Sequence, residues 1–162
     1  MTTSSKKILV TGVAGFLGSH LAEHLSLLNH KVVGVDNMLG GYEDNVPKNI
    51  KFYNYDCCDL NKMNEVMKDV DVVYHCAATA HEGLSVFSPV EITKNNYLAS
   101  VSVFTAAVSN KVKRIVYCSS MARYGDQPTP FSEEMKPKPI DPYAISKVAA
   151  ENVLINLCEL NN

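Results

Sequence analysis

The stretch Val10-Thr11-Gly12-Val13-Ala14-Gly15-Phe16-Leu17-Gly18-Ser19-His20 restricts this chain more than any other. It follows an apolar run, Ile8-Leu9-Val10, that reads as a buried strand. It leads into Leu17, Leu21, Leu25 and Leu28, whose spacing is helical. A strand that turns through glycines into a helix gathers free backbone N–H groups and the positive end of a helix dipole at one point, which suits a diphosphate. Gly12 permits the tight turn, Gly15 lets a ligand touch backbone, and Gly18 lets the helix pack close to the strand. The spacing is G-x-x-G-x-x-G rather than the commoner G-x-G-x-x-G, and a glycine-rich turn without a ligand is the plain alternative.

The rest of the chain repeats the strand-then-helix pattern. Lys31–Asp36, Ile50–Tyr55, Asp71–Ala78 and Lys113–Ser120 read as strands. Lys62–Lys68, Ser88–Asn110 and Asp141–Leu160 read as helices, with Pro89 in the first turn of the second. Met38–Lys48 and the segment holding Pro128, Pro130, Pro137 and Pro139 read as loops. Such alternation predicts right-handed βαβ units and a Rossmann-like three-layer αβα fold with a parallel sheet, strand order 3-2-1-4-5. With 162 residues and no repeat or internal linker, a single dinucleotide-binding domain over 1–162 is expected. A sixth strand normally follows the last helix, so the terminal edge of the sheet is expected to be exposed.

Composition excludes several classes. A formal net charge of −2 gives no electrostatic case for nucleic acid or an anionic membrane as partner. No apolar run approaches membrane-spanning length, and the opening residues lack a signal-peptide pattern, so a cytoplasmic protein is expected. The 5 cysteines are odd in number and none is spaced as a metal ligand pair, so they read as reduced thiols and no metal is expected.

Asp36 closes the second strand 18 residues after Gly18, near the offset at which a carboxylate accepts hydrogen bonds from an adenosine ribose and repels the extra phosphate of NADP. A strand-end turn cap shared with Asn37 is the alternative. Ser119 and Ser120 break the fifth apolar run, at what reads as the carboxyl end of a central strand, where open parallel sheets place ligands. Tyr143 and Lys147 lie one helical turn apart and leave the same face. A free phenol titrates near about pH 10, and a fixed ammonium beside it favours the phenolate. With Ser120 binding the same oxygen, the trio suits proton abstraction from an alcohol while hydride leaves carbon.

Taken together, Thr11-Gly12-x-x-Gly15-Phe16-x-Gly18, Asp36, Asp59-Leu60, His75-x-Ala77-Ala78, Asn96, Ser119-Ser120-x-x-x-Tyr124-Gly125 and Tyr143-x-x-Ser146-Lys147 resemble the extended short-chain dehydrogenase/reductase family, most of all its NAD-dependent nucleotide-sugar epimerases. The resemblance implies NAD as cofactor, with Gly12, Gly15, Phe16, Leu17 and Gly18 on the diphosphate and Asp36 and Asn37 at the ribose. It implies Asp59 and Leu60 at the adenine, Ala77, Ala78, Thr79 and Ser119 along the cofactor path, and Asn96 on the helix beneath it. Ser120, Tyr143 and Lys147 would be catalytic, the last two also touching the cofactor, with Ser85, Ser120 and Tyr143 facing a UDP-hexose. Met121 and Ala122 stand where the family's dehydratases carry a proton-transferring pair, which favours 4-epimerisation through a transient 4-keto sugar. Arg123 replaces an apolar residue usual before Tyr-Gly.

Members of that family continue past the Tyr-x-x-x-Lys helix into a substrate-binding region with no counterpart here, so the chain is expected to hold the cofactor half of the site. A dehydratase or reductase of the family, or a dinucleotide-binding module without turnover, are the competing readings. His75 reads as a core histidine, and His81 and Glu82 as a polar loop. The 88–110 and 141–160 helices carry apolar residues on more than one face, and in the family such helices pair across a homodimer; packing on the sheet alone is the alternative.

Overall fold

The computed structural model describes residues 4–161, so the outermost ends of the expected domain lie outside it. Five parallel strands, β1 (Lys7–Thr11), β2 (Lys31–Asp36), β3 (Lys51–Asn54), β4 (Val72–His75) and β5 (Arg114–Tyr117), form one sheet in the order β3-β2-β1-β4-β5. The expected topology is therefore present. The pairing register runs Leu9 against Val33 and Val73, and His75 against Tyr117. The helices are α1 (Phe16–Leu27), α2 (Leu60–Val66), α3 (Pro89–Ile92), α4 (Ala99–Ser109) and α5 (Pro142–Leu160).

Side chains alternate across the sheet and both faces are apolar, as parallel strands require. Leu9, Val33, Val35 and Val73 point into a core with Met63 and Met67 from the α2 side, Val103 and Phe104 of α4 and Ala150 of α5. Ile8, Val10, Val32 and Val72 meet Ala22 and Leu25 of α1 on the other face. Only part of the leucine stripe in α1 is interior: Leu25 is buried, whereas Leu17 and Leu28 are exposed. The buried face is made instead by Gly18, Ser19, Ala22 and Leu25, because small residues let the helix sit close to the turn that precedes it.

Three expectations change. β5 is an edge strand rather than a central one, and Val116 on it is exposed. The long 88–110 helix is interrupted by a π-helical segment, Thr93–Leu98, between α3 and α4. Hydroxyls feed back onto backbone carbonyls there, Thr93 Oγ1 to Pro89 O at 2.8 Å and Ser100 Oγ to Asn96 O, which compete with the α-helical ladder. Finally, α2 begins earlier than Lys62, because Asp59 accepts from Lys62 N at 3.1 Å and so caps the helix ahead of Leu60.

Candidate active site

A cavity of about 360 Å³ opens over the carboxyl ends of β1, β2 and β4. Its floor is the glycine turn. Gly12 has φ +72°, and a Cβ there would lie 2.7 Å from Ala77 N, so both the backbone conformation and the space admit only glycine. A Cβ on Gly18 would run into the Gly12 carbonyl. Gly15 precedes α1 with no side chain capping the helix, so first-turn N–H groups are left for a ligand at the positive helix end. Gly15, Phe16, Leu17 and Gly18 all line the cavity.

Asp36 is buried at the β2 tip and also lines the cavity with Asn37. Its Oδ2 accepts from Ala14 N at 3.0 Å and its Oδ1 from Met38 N at 2.8 Å. The carboxylate thus fastens the glycine turn to β2 as well as capping the turn that follows. Each oxygen keeps a further lone pair for an outside donor. Asn37 turns its side chain to Leu39 N.

The opposite wall is the segment after β4, Cys76-Ala77-Ala78-Thr79, held by a buried polar chain. Ser100 Oγ donates to Asn96 O, so it accepts from His75 Nε2 at 2.9 Å. His75 Nδ1 is then the acceptor for Thr11 Oγ1 at 2.6 Å, and Thr11 Oγ1 in turn accepts from Ala77 N at 3.3 Å. The network therefore fixes the Nε2–H tautomer of a neutral ring. Full burial, helped by the Lys147 charge, pushes the histidine down to about 3. His75 is a core residue that sets the height of the Ala77 segment. Asn96 has the same kind of role: its Oδ1 accepts from Thr79 N at 2.7 Å and its Nδ2 donates to Thr79 O at 3.3 Å. Its neighbour Asn95 reaches the cavity and donates to Thr79 Oγ1 at 3.2 Å.

The wall that follows β3 is made by Tyr55, Asp56 and Cys57; Asp59 and Leu60, expected at an adenine, do not line the cavity. Asp59 spends its carboxylate on the α2 cap, three residues beyond the position that faces the opening. Asp56, which the sequence reading does not single out, lines the cavity while its Oδ1 accepts from Cys58 N at 2.8 Å.

The remaining residues meet where β5 ends. Ser120 Oγ accepts from Ala122 N at 3.2 Å and starts a single 3₁₀ turn, Met121–Tyr124, leaving its O–H to donate. Ala122 of that turn packs with Tyr143, Ala144 and Ile92 in one buried cluster, so the strand tip and the tyrosine helix are in contact. Asp141 caps α5 by accepting from Ala144 N at 2.9 Å, and Ser146 Oγ donates to Tyr143 O at 2.7 Å. Lys147 is 3% exposed and donates to Cys118 O at 2.6 Å, with its ammonium 4.7 Å from the Tyr117 ring centre. Burial lowers it to about 8, partly offset by Cys118, Cys76 and Glu151. Ser119 Oγ, beside the carbonyl that Lys147 grips, is buried without a partner. Ser119, Ser120, Tyr143 and Lys147 lie next to the cavity rather than in its lining, which ends at Cys76 and Ala77 on this side.

Ser85 is placed differently from the expectation. It is fully buried in a 3₁₀ turn, its Oγ donating its one proton to Glu82 O at 2.6 Å with Asp141 Oδ1 3.3 Å away, and it does not line the cavity. Arg123 pairs with Glu151 of α5 at 3.1 Å, both largely shielded, and ties the turn after Ser120 to the helix that carries Tyr143 and Lys147.

A strand–glycine turn–helix cavity beside a Ser, Tyr and Lys corner is the arrangement of a short-chain dehydrogenase-type site. The chain belongs to the NAD dependent epimerase/dehydratase family, whose model matches residues 8–162. It is 34% identical over 154 residues to a UDP-glucose 4-epimerase of Streptomyces lividans, covering 93% of this chain and 47% of that one. It is 35% identical over 132 residues to a UDP-N-acetyl-alpha-D-glucosaminuronate decarboxylase of Bacillus cytotoxicus, covering 80% and 41% respectively. The crystal structure of Thermus thermophilus UDP-glucose 4-epimerase in complex with NAD superposes with a TM-score of 0.91 at 33% identity, over 96% of this chain and 51% of that one. The chain thus spans about half the length of the relatives it matches. Among the described residues no helix is long and apolar enough to cross a membrane, and no cluster of potential metal ligands is present.

Proposed function

We propose that this chain supplies the NAD-binding and proton-transfer half of a nucleotide-sugar 4-epimerase acting on a UDP-hexose. The observation that carries the reading is the corner at the end of β5: Lys147 anchored on Cys118 O, Ser119 with an unpartnered buried hydroxyl, and Tyr143 packed on Ala122, all beside the glycine-turn cavity. In this reading the first turn of α1 receives the diphosphate, and Asp36 and Asn37 meet the ribose. Asp56 and Cys57, rather than Asp59 and Leu60, flank the adenine. Ala77, Ala78, Thr79 and Ser119 line the path to the nicotinamide. NAD, when bound, supplies the hydride acceptor and donor at the sugar carbon. Tyr143 takes the proton of the 4-hydroxyl, and the Lys147 ammonium stabilises the resulting negative charge. The Ser120 O–H donates to the same sugar oxygen and fixes its position. Return of the proton from Tyr143 completes the exchange.

Met121 and Ala122 favour epimerisation over elimination or decarboxylation, since neither side chain transfers a proton. We place the protein in the cytoplasm, in keeping with its free thiols, and in a homodimer. The exposed Val90, Leu98, Ile145 and Ile155 on the expected helices support the dimer. The test is interconversion of UDP-glucose and UDP-galactose by the chain with NAD, alongside Tyr143→Phe. Turnover lost in the variant supports the reading. NAD binding without turnover of either sugar would favour a dinucleotide-binding module instead.

A further inference from the structure

Two of the free cysteines are not scattered. Cys76 and Cys118 follow directly on the paired residues His75 and Tyr117, so they occupy the next rung across β4 and β5 with their side chains on the same face. Their sulfurs are 3.6 Å apart and share one S–H hydrogen bond. Neither is sealed in the core, since both are only partly buried. Cys76 lines the cavity over the glycine turn, and Cys118 carries the carbonyl that Lys147 grips.

We propose that Cys76 and Cys118 are a redox-active pair, joined into a disulfide across the β4 and β5 tips by an oxidant of the peroxide class, and that the bond restricts the cavity wall on which Cys76 stands. A disulfide needs the sulfurs to close from 3.6 Å to about 2.05 Å, a small approach for neighbouring strand ends that continue into loops. The pair is chemically asymmetric. With both thiols protonated the Cys118 S–H donates to Cys76. Once Cys118 has lost its proton the Cys76 S–H donates to it instead, and with the Lys147 ammonium this holds the Cys118 thiol below the ordinary thiol range, against the effect of burial. The same bond and burial push Cys76 up. Cys118, whose own carbonyl holds the Lys147 ammonium, is assigned as the nucleophile and Cys76 as the resolving thiol. The Cys118 thiolate attacks a peroxide oxygen; the S–O bond forms as the O–O bond breaks, and the departing hydroxide leaves as water with a proton. The Cys76 sulfur then attacks the sulfenic sulfur. The S–S bond forms, the S–O bond breaks, and hydroxide takes the Cys76 proton to leave as a second water. Two electrons pass from the thiols to the peroxide.

The disulfide itself does not depend on the proposed function; its effect on NAD does. The chain is treated with hydrogen peroxide near neutral pH, remaining thiols are alkylated, and peptides are mapped without reduction. The expected product is one intramolecular link between the Cys76 and Cys118 peptides, with loss of two hydrogens, reversed by dithiothreitol. Cys118 should be consumed about tenfold faster than the exposed Cys158. Cys76→Ser should trap Cys118 as a dimedone-reactive sulfenic acid, and Cys118→Ser should leave Cys76 unreactive, with thermal unfolding confirming that both variants fold. Independent oxidation of the two residues, links between chains, or Cys118 reacting no faster than Cys158 would overturn the pairing. NADH titration of the linked chain should show at least about tenfold weaker binding than the reduced chain. Equal affinity would overturn the effect on the cavity, and NADH binding to neither form would count against the proposed function and leave the mapped link to decide the pairing.

Discussion

Replacing Lys147 by methionine keeps the aliphatic stem and removes the buried charge. Lys147 sits at about 8 against an ordinary 10.5, a difference worth about 3 kcal/mol of destabilisation when the ammonium is present in the folded chain. The donated bond to Cys118 O returns about 1 kcal/mol and the position over the Tyr117 ring about 0.5–1 kcal/mol, and both vanish in the variant. Lys147→Met is therefore expected to stabilise the chain by about 1–2 kcal/mol near pH 7, while removing any turnover. The pH dependence is sharper. The unfolded chain holds the lysine proton up to about 10.5 and the folded chain only to about 8, so the penalty is complete below about pH 8 and fades as pH rises through that window. Wild type should gain on the variant by roughly 2 kcal/mol by about pH 9.5. Urea unfolding followed by circular dichroism suits a chain with 8 tyrosines and no tryptophan. Parallel stability curves for the two proteins between about pH 7.5 and pH 9.5 would refute the reasoning, as would a variant clearly less stable than wild type near pH 7.

In the folded chain His75 takes up a proton only near pH 3, against an ordinary 6.5 when unfolded, so stability should fall as pH drops below about 6.5, by about 2 kcal/mol at pH 5; His75→Gln should flatten that acid limb in urea titrations. Gly18→Ala drives a methyl into the Gly12 carbonyl and should cost about 1–3 kcal/mol and saturable NADH binding together, read by unfolding and by fluorescence titration. Arg123→Leu or Glu151→Leu alone strands a shielded partner and should cost about 2 kcal/mol, whereas the double replacement should come back near wild type, a coupling read by a double-mutant cycle.

Much of this was legible because it is written in local pattern. Apolar runs alternating with helical spacing gave five strands in the observed order, and glycine spacing marked the turn whose geometry admits no side chain at Gly12 and Gly18. The Tyr143–Lys147 pair needed only helical periodicity. What escaped depends on partners far apart in sequence. The chain Thr11, His75, Ser100, Asn96 joins β1, β4 and the π-helical segment through side-chain hydrogen bonds, and no periodicity announces it. At the π segment the hydroxyls of Thr93 and Ser100 return to carbonyls of their own helix, which no periodicity shows either. Asp56 and Asp59 are the same residue type three positions apart, and what separates them is three-dimensional: Asp56 lines the cavity, whereas Asp59 caps α2 away from it. Ser85 is buried in its own 3₁₀ turn, donating to Glu82 O, and only the folded chain brings it near Asp141, 56 residues on.

The central claim is that the cavity over the glycine turn receives NAD with Asp36 at its ribose. Titration of the chain with NADH and NADPH by nicotinamide fluorescence, repeated on Asp36→Asn, tests it most directly. The account predicts saturable NADH binding, NADPH at least about tenfold weaker, and a variant that narrows this difference. Equal affinity for the two dinucleotides, or no saturable binding of either by a folded chain, would contradict it.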